Sequence, residues 1–230
     1  TIQGILENIL STITGEHSRI TGAGRTDAGV HALQQVAVFR TQSSLEADVI
    51  RRAVNAHLPA DIRLASAVEC HAEFHPRYDA KSKTYSYLIS GTGAYSVFLA
   101  RYSWNLRCQF DIGAMKEAAH FLLGKHDFSS FRASGCSSRN PVREITGIEI
   151  SEMKEIEFIG FRFEVPVIKI SMTANAFLRH MARNIAGTLV EVGRKKYPAS
   201  EMKIILDAQD RRAAGKTAPA CGLFLEKIFY

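Results

Sequence analysis

Apolar residues at Ile2, Ile5, Leu6, Ile9, Leu10 and Ile13 recur at three- and four-residue spacing, which predicts a helix over 2–13. The chain opens directly into that helix without an initiator Met, which points to residues upstream. His17–Ile20 reads as a short extended piece and 22–29 as a glycine-rich loop. In 34–40, Val36 and Val38 alternate with Ala37 and Phe39, as in a strand. A helix over 46–57 is closed by Leu58-Pro59, since proline cannot continue the ladder, and Ile62–Glu69 is again extended.

Beyond the polar stretch FHPRYDAKSK (74–83), Thr84–Ser90 predicts a strand with Tyr85 and Tyr87 on one face and Ser86 and Leu88 on the other. A helix follows over 111–123, with Asp111 as N-cap and Gly124 as C-cap. Residues 132–140 form a loop that Pro141 helps to end. Two long strands, 142–153 and 161–172, make a hairpin across an acidic linker. Phe177, Met181, Ile185, Leu189 and Val192 give the apolar stripe of a helix over 176–192, stopped by Gly193. A short helix (200–208) and a strand (222–229) complete the pattern. Helices and hairpins alternate without a βαβ rhythm, so the class is α+β. The polar stretch marks the junction between an N-terminal part, 1–77, and a C-terminal part, 78–230.

Composition changes this picture little. The 230 residues are 46% hydrophobic and 23% charged, ordinary for a core-forming protein. No stretch approaches the roughly 18 apolar residues of a membrane span. Cys70, Cys108, Cys136 and Cys221 are widely separated, which fits reduced thiols in a cytoplasmic protein better than a disulfide framework or zinc site. The net charge of +6 is unevenly placed. Residues 1–78 hold seven basic and eight acidic side chains, and 79–230 hold 22 and 15. A basic C-terminal part suits a polyanion, although an ordinary solvated surface fits equally well.

The densest chemical signal is GAGRTDAGVH, Gly22 to His31. It lacks the Lys of a phosphate loop, and the strand-like residues after it do not supply the helix that a dinucleotide fingerprint needs. What remains is a carboxylate, Asp27, with Arg25 two residues before it and His31 four after. A guanidinium beside an aspartate favours the ionised form, which suits a nucleophile or base; a turn-capping aspartate is the plainer alternative. Tyr85 in KSKTYSY is either a base-stacking ring, with Lys81 and Lys83 just before it to meet phosphates, or a core tyrosine. On the predicted helix, Arg179 and Arg183 share a face beside the apolar stripe, from which an arginine reaches a carboxylate or snorkels. FHPRY (74–78) and GCSSR (135–139) each set an arginine in a polar loop, as phosphate contacts and solvated loops both do.

Taken together, GRTDAGVHA (24–32), NAHLPxDI (55–62), FHxR (74–77), KTYxY (83–87), HDFSSFR (126–132), CxSR (136–139) and ANAFLRHMxRNIxG (174–187) resemble the tRNA pseudouridine synthase A family, in that family's order and over nearly the whole chain. The resemblance implies two α/β-layer subdomains, with mainly antiparallel mixed sheets, around a central RNA-binding cleft. It implies that Asp27 is catalytic, that Arg183 pairs with it, that Tyr85 stacks on the target uracil and that Arg25 holds the place of the flipped-out nucleotide. His31, Phe74, His75, Arg77, Ser137, Ser138 and Arg139 match segments that touch the RNA. The implied partner is the anticodon stem-loop of tRNA, read by a homodimer without cofactor, metal or membrane. The family's first strand, with its YDG…GWQ segment, has no counterpart in this sequence. An inactive RNA-binding homologue would carry a substituted Asp27 or Tyr85, and both residues are present. A two-carboxylate glycoside hydrolase would need a second acid, for which Glu144 is only a formal candidate.

Overall fold

The computed structural model describes residues 1–90, 99–136, 138–158, 160–164 and 166–230. In chain order its elements are α1 (Ile2–Thr14), β1 (Thr21–Gly22), β2 (His31–Ala32), β3 (Ala37–Val38), α2 (Ala47–His57), β4 (Ser82–Ser90), β5 (Trp104–Asn105), α3 (Ile112–His120), β6 (Gly124–Asp127), β7 (Val142–Met153), β8 (Ile156–Phe158), β9 (Phe161–Phe163), β10 (Val167–Ala174), α4 (Met181–Gly193), α5 (Glu201–Ala208) and β11 (Leu223–Phe229). This is the expected α+β class, with a mainly antiparallel principal sheet.

Contacts divide the chain into two units: Thr1–Arg25 with Gln35–Ala80, and Thr26–Gln34 with Lys81–Tyr230. The second boundary lies three residues beyond the junction read from sequence. The loop of Asp27, however, groups with the C-terminal part and not with residues 1–77. Pairing explains the exchange. β2 lies parallel to β11, Leu33 N–H donates to the Leu225 carbonyl (2.9 Å), and Ile228 N–H donates to Gln34 (3.4 Å).

In the first unit α1 and α2 bury Leu10, Ile50, Val54 and Leu58 against Ile20, with Phe39, Ile62 and Leu64 around them. Thr1 caps α1 by accepting from Gly4 N–H (3.1 Å), and Gly15 ends it at φ 72°. The strand expected over 34–40 is confined to Ala37–Val38, paired with β1. Residues 62–69, expected to be extended, join no sheet. There the Asn55 amide brackets Leu64, donating to its carbonyl and accepting from its N–H, both at 2.9 Å.

The second unit is built on one sheet, in the order β2-β11-β4-β10-β7-β6 with β5 also on β4. Successive rows of side chains cross its strands. Leu223, Tyr87, Ile170 and Ile150 form one, and Leu225, Tyr85, Met172 and Ile148 the next. These rows face the core shared with α3, α4 and α5, where Tyr87, Ile170 and Met172 are fully buried.

Three expectations are corrected. The hairpin partner of β7 is Val167–Ala174, because Pro166 interrupts the expected 161–172 strand, and Gly160 (φ 75°) lies between β8 and β9, which pair as a separate small hairpin. α3 ends at His120, and Gly124 (φ 94°) opens β6 instead of capping the helix. α4 starts at Met181, five residues late. Asn175 exchanges hydrogen bonds with Glu144 across the sheet end, the Arg179 carbonyl accepts from Ala133 N–H (3.0 Å), and His180 sits at φ 62°. These contacts hold 175–180 out of the helix, so Arg179 and Arg183 share no helix face.

Every residue of α4 is buried except Arg183, so the helix has no solvated face. Two of its polar members, Asn184 and Thr188, are partnered inside. Asn184 donates to the Phe131 carbonyl (2.7 Å) and accepts from Thr217 (2.7 Å) and Arg211 (3.2 Å), while Thr188 accepts from Gly215 N–H (3.0 Å). This brings the 214–219 backbone so close that a Cβ on Gly187 would lie 1.8 Å from the Lys216 carbonyl oxygen. Helix propensity alone favours Gly187→Ala by up to ~1 kcal/mol, but overpacking a filled site costs ~1–3 kcal/mol. Urea unfolding is therefore expected to show the variant less stable than wild type; equal or greater stability would contradict this packing.

Candidate active site

Asp27 enters the second unit on the segment that leads into β2, with its side chain one-third exposed. One of its oxygens, Oδ2, accepts from Arg183 Nη1 at 2.7 Å and lies 3.2 Å from His180 Nε2. Arg183 is anchored twice more through its own residue. Its Nε donates to the Ala218 carbonyl (2.8 Å), and its carbonyl accepts from Ala218 N–H (3.1 Å). Pro219 is fixed in turn by the Tyr87 hydroxyl, which donates to its carbonyl at 2.7 Å. The guanidinium is thus oriented before any ligand arrives, the condition for electrostatic work at a reacting centre.

Tyr85 lies one row along β4 from Tyr87, with its ring edge-on to Phe177 at 4.9 Å. Burial pushes its phenol up to about 12, and the Asp27 charge adds to the effect. It is a neutral aromatic surface beside an acidic group. Burial also holds the His180 imidazole below the ordinary histidine value; Arg183 and Arg179 act in the same sense, and Asp27 opposes them. A neutral imidazole facing a carboxylate is the Nε2–H tautomer, so His180 donates. Among the described residues, no group of three or more His, Cys, Asp or Glu could hold a metal ion.

A carboxylate paired with a guanidinium near a partly buried tyrosine is what the motifs imply, and the imidazole is an addition to it. Comparison with known proteins identifies the family. A family model described as tRNA pseudouridine synthase matches residues 1–79 and 118–230. The chain is 41% identical over 230 residues to tRNA pseudouridine synthase A of Ruminiclostridium cellulolyticum and 38% identical to that of Caldicellulosiruptor saccharolyticus, covering all of this chain and 90% of each relative. It is 40% identical over 229 residues to the Myxococcus xanthus enzyme, covering 83% of that relative. The chain belongs to the tRNA pseudouridine synthase family. It is accordingly an isomerase of the pseudouridine synthase fold.

Within that family frame, the other residues named from sequence fall into three groups. Arg25 is exposed and belongs to the first unit, as do Phe74, His75 and Arg77. The last three lie in one turn, in which His75 Nδ1 accepts from Arg77 N–H (3.1 Å) and the Arg77 guanidinium lies 5.8 Å from the Tyr78 ring centre. Ser138 donates to the Asn140 carbonyl and accepts from Arg143, both at 2.9 Å; Arg139 is exposed, and Ser137 lies outside the described residues. Their loop borders a cavity of about 390 Å³ that Arg132, Arg211 and Arg212 also line.

His31 stands apart from Asp27. Its ring stacks on Phe224 (4.7 Å), which shares the sheet face of Ser86, opposite that of Tyr85, and its Nε2 lies 2.9 Å from the Arg101 carbonyl oxygen. Conversely, sequence reasoning left His180 and the Ala218 carbonyl unassigned. His180 stood inside the quoted RHMxRN segment, but only its backbone angle turns it toward Asp27.

Difference titration of tyrosinate absorbance, wild type against Tyr85→Phe, is expected to show Tyr85 still protonated where exposed tyrosines ionise, at about 10. Asp27→Asn removes a nearby negative charge and should lower the Tyr85 value. A Tyr85 that titrates with the exposed tyrosines would contradict its burial.

Proposed function

We propose that the chain isomerises uridine to pseudouridine at positions 38, 39 and 40 of the tRNA anticodon stem-loop, with Asp27 as the reacting carboxylate. The observation that carries this reading is the 2.7 Å pair between Asp27 and an Arg183 already fixed by Ala218. In the reaction the C1′–N1 bond breaks, the uracil turns, and a C1′–C5 bond forms. C5 releases a proton and N1 takes one up, so the atoms balance. Asp27 serves by attack at C1′ or at C6, or by removing the 2′ proton. All three routes use the carboxylate as an anion, and Arg183 is the cation in contact with it.

The glycosidic carbon is out of reach in a stacked stem, so the nucleotide is flipped out at a cost of a few kcal/mol. Tyr85 then offers its ring to the freed uracil, and Arg25 fills the vacated place in the RNA. Neutralised phosphates offset the flipping cost, drawing on the basic C-terminal part. In this reading Ser137, Ser138 and Arg139, with the cavity of Arg132 and Arg212, take phosphates from one segment of the stem-loop. Phe74, His75 and Arg77 take those of another. Homodimeric assembly, which rests on the family resemblance, and a cytoplasmic location, which rests on the four separated cysteines, complete the reading.

The test uses tRNA labelled with tritium at uridine C5, from which pseudouridine formation releases the label. Asp27→Asn and Asp27→Ala are expected to abolish release while tRNA binding survives, and wild-type release is expected to disappear when positions 38–40 carry cytidine. Retained turnover in the Asp27 variants would contradict the catalytic assignment. Release from the cytidine-substituted tRNA would contradict the assigned positions.

A further inference from the structure

The segment before α4 carries a feature that neither packing nor capping explains. His180 adopts φ 62° and ψ 2°, a left-handed conformation that a side chain disfavours and glycine accepts readily. It occupies the N-cap of α4, yet its side chain makes no capping hydrogen bond, the service for which Ser, Asp or Asn is selected there. The imidazole is used elsewhere, at 3.2 Å from Asp27 Oδ2. Strain retained at one residue whose side chain meets a reacting group is the pattern expected of a built site.

Two donors therefore converge on the same carboxylate oxygen. Arg183 Nη1 donates to Oδ2 at 2.7 Å and His180 Nε2 approaches the same atom at 3.2 Å, so both side-chain contacts described for the carboxylate fall on Oδ2. We propose that His180 is a positioning residue of the isomerisation: with Arg183 it clamps Oδ2, fixes the plane of the carboxylate and commits Oδ1 to the nucleotide. The inference rests on the reading of Asp27 as the reacting carboxylate. Arg183 alone leaves the carboxylate free to turn about its Cβ–Cγ bond and to exchange its two oxygens. A second donor from another direction removes that freedom. The imidazole does this without a second full positive charge, since burial and the neighbouring Arg183 and Arg179 keep it neutral. A group held within a few tenths of an ångström of its reacting position matters to rate and not to affinity.

The left-handed backbone supplies the experiment. His180→Gly removes the ring and relaxes the strained angle, so the variant should melt no lower than wild type. Single-turnover tritium release is expected to fall about 100-fold while tRNA affinity stays unchanged. Added imidazole should recover part of the rate, which a purely structural role would not allow. Where His180→Gly does melt lower, the pair His180→Gln and His180→Leu decides. Glutamine keeps a donor and should retain more of the single-turnover rate than leucine. A wild-type rate in His180→Gly, or equal rates for glutamine and leucine, would overturn the clamp. Asp27→Asn run alongside separates the two readings, since turnover in that variant would refute the catalytic aspartate itself.

Discussion

The guanidinium of Arg183 joins three segments that are far apart in sequence: the Asp27 loop, helix α4 and the 214–219 turn. Asp27 and Arg183 are separated by 156 positions, and their side chains meet at 2.7 Å. An arginine can hold such a place because its planar fork offers several donors in fixed directions. One reaches the carboxylate and another the Ala218 carbonyl. A lysine, with one compact charge on a flexible stem, would not tie both. The surrounding structure brings these donors and acceptors to their places.

That requirement accounts for features that would otherwise look like faults. A helix buried all round has to satisfy every polar side chain, and Asn184 and Thr188 do so on the turn that carries Ala218. The turn approaches so closely that Gly187 leaves no room for a Cβ. Tyr87, in the centre of the sheet, uses its hydroxyl on Pro219 and so ties the same turn to β4. Tyr85, two residues earlier on that strand, stands one row along the same face. Sheet, helix and turn thus share one register, and the site inherits its geometry from the core.

Much of this was legible in the sequence. Helix periodicity located α1, α2 and α5 within a residue or so, and alternation located β4 and β7, because those signals are local. The motifs named Asp27, Tyr85 and Arg183. What escaped depends on contacts between distant residues. Phe177 continues the apolar spacing of α4, but Asn175 is drawn into hydrogen bonds with Glu144 and the helix begins at Met181. His180 then stands at the N-cap with a left-handed angle that no local pattern announces. His31 sits four residues from Asp27, yet strand pairing with β11 sets its ring on Phe224. The grouping of Thr26–Gln34 with the C-terminal unit has the same origin.

The account stands on the claim that Asp27 and Arg183 are energetically coupled, not merely adjacent. A double-mutant cycle in equilibrium unfolding, with Asp27→Ala, Arg183→Met and the double variant, measures that coupling directly. The contact of Arg183 with Ala218 is lost in both arms and cancels. For a hydrogen-bonded, partly buried pair the cycle should return a favourable coupling of about 1–3 kcal/mol. A coupling indistinguishable from zero would mean that the two residues are placed independently, and would contradict the account.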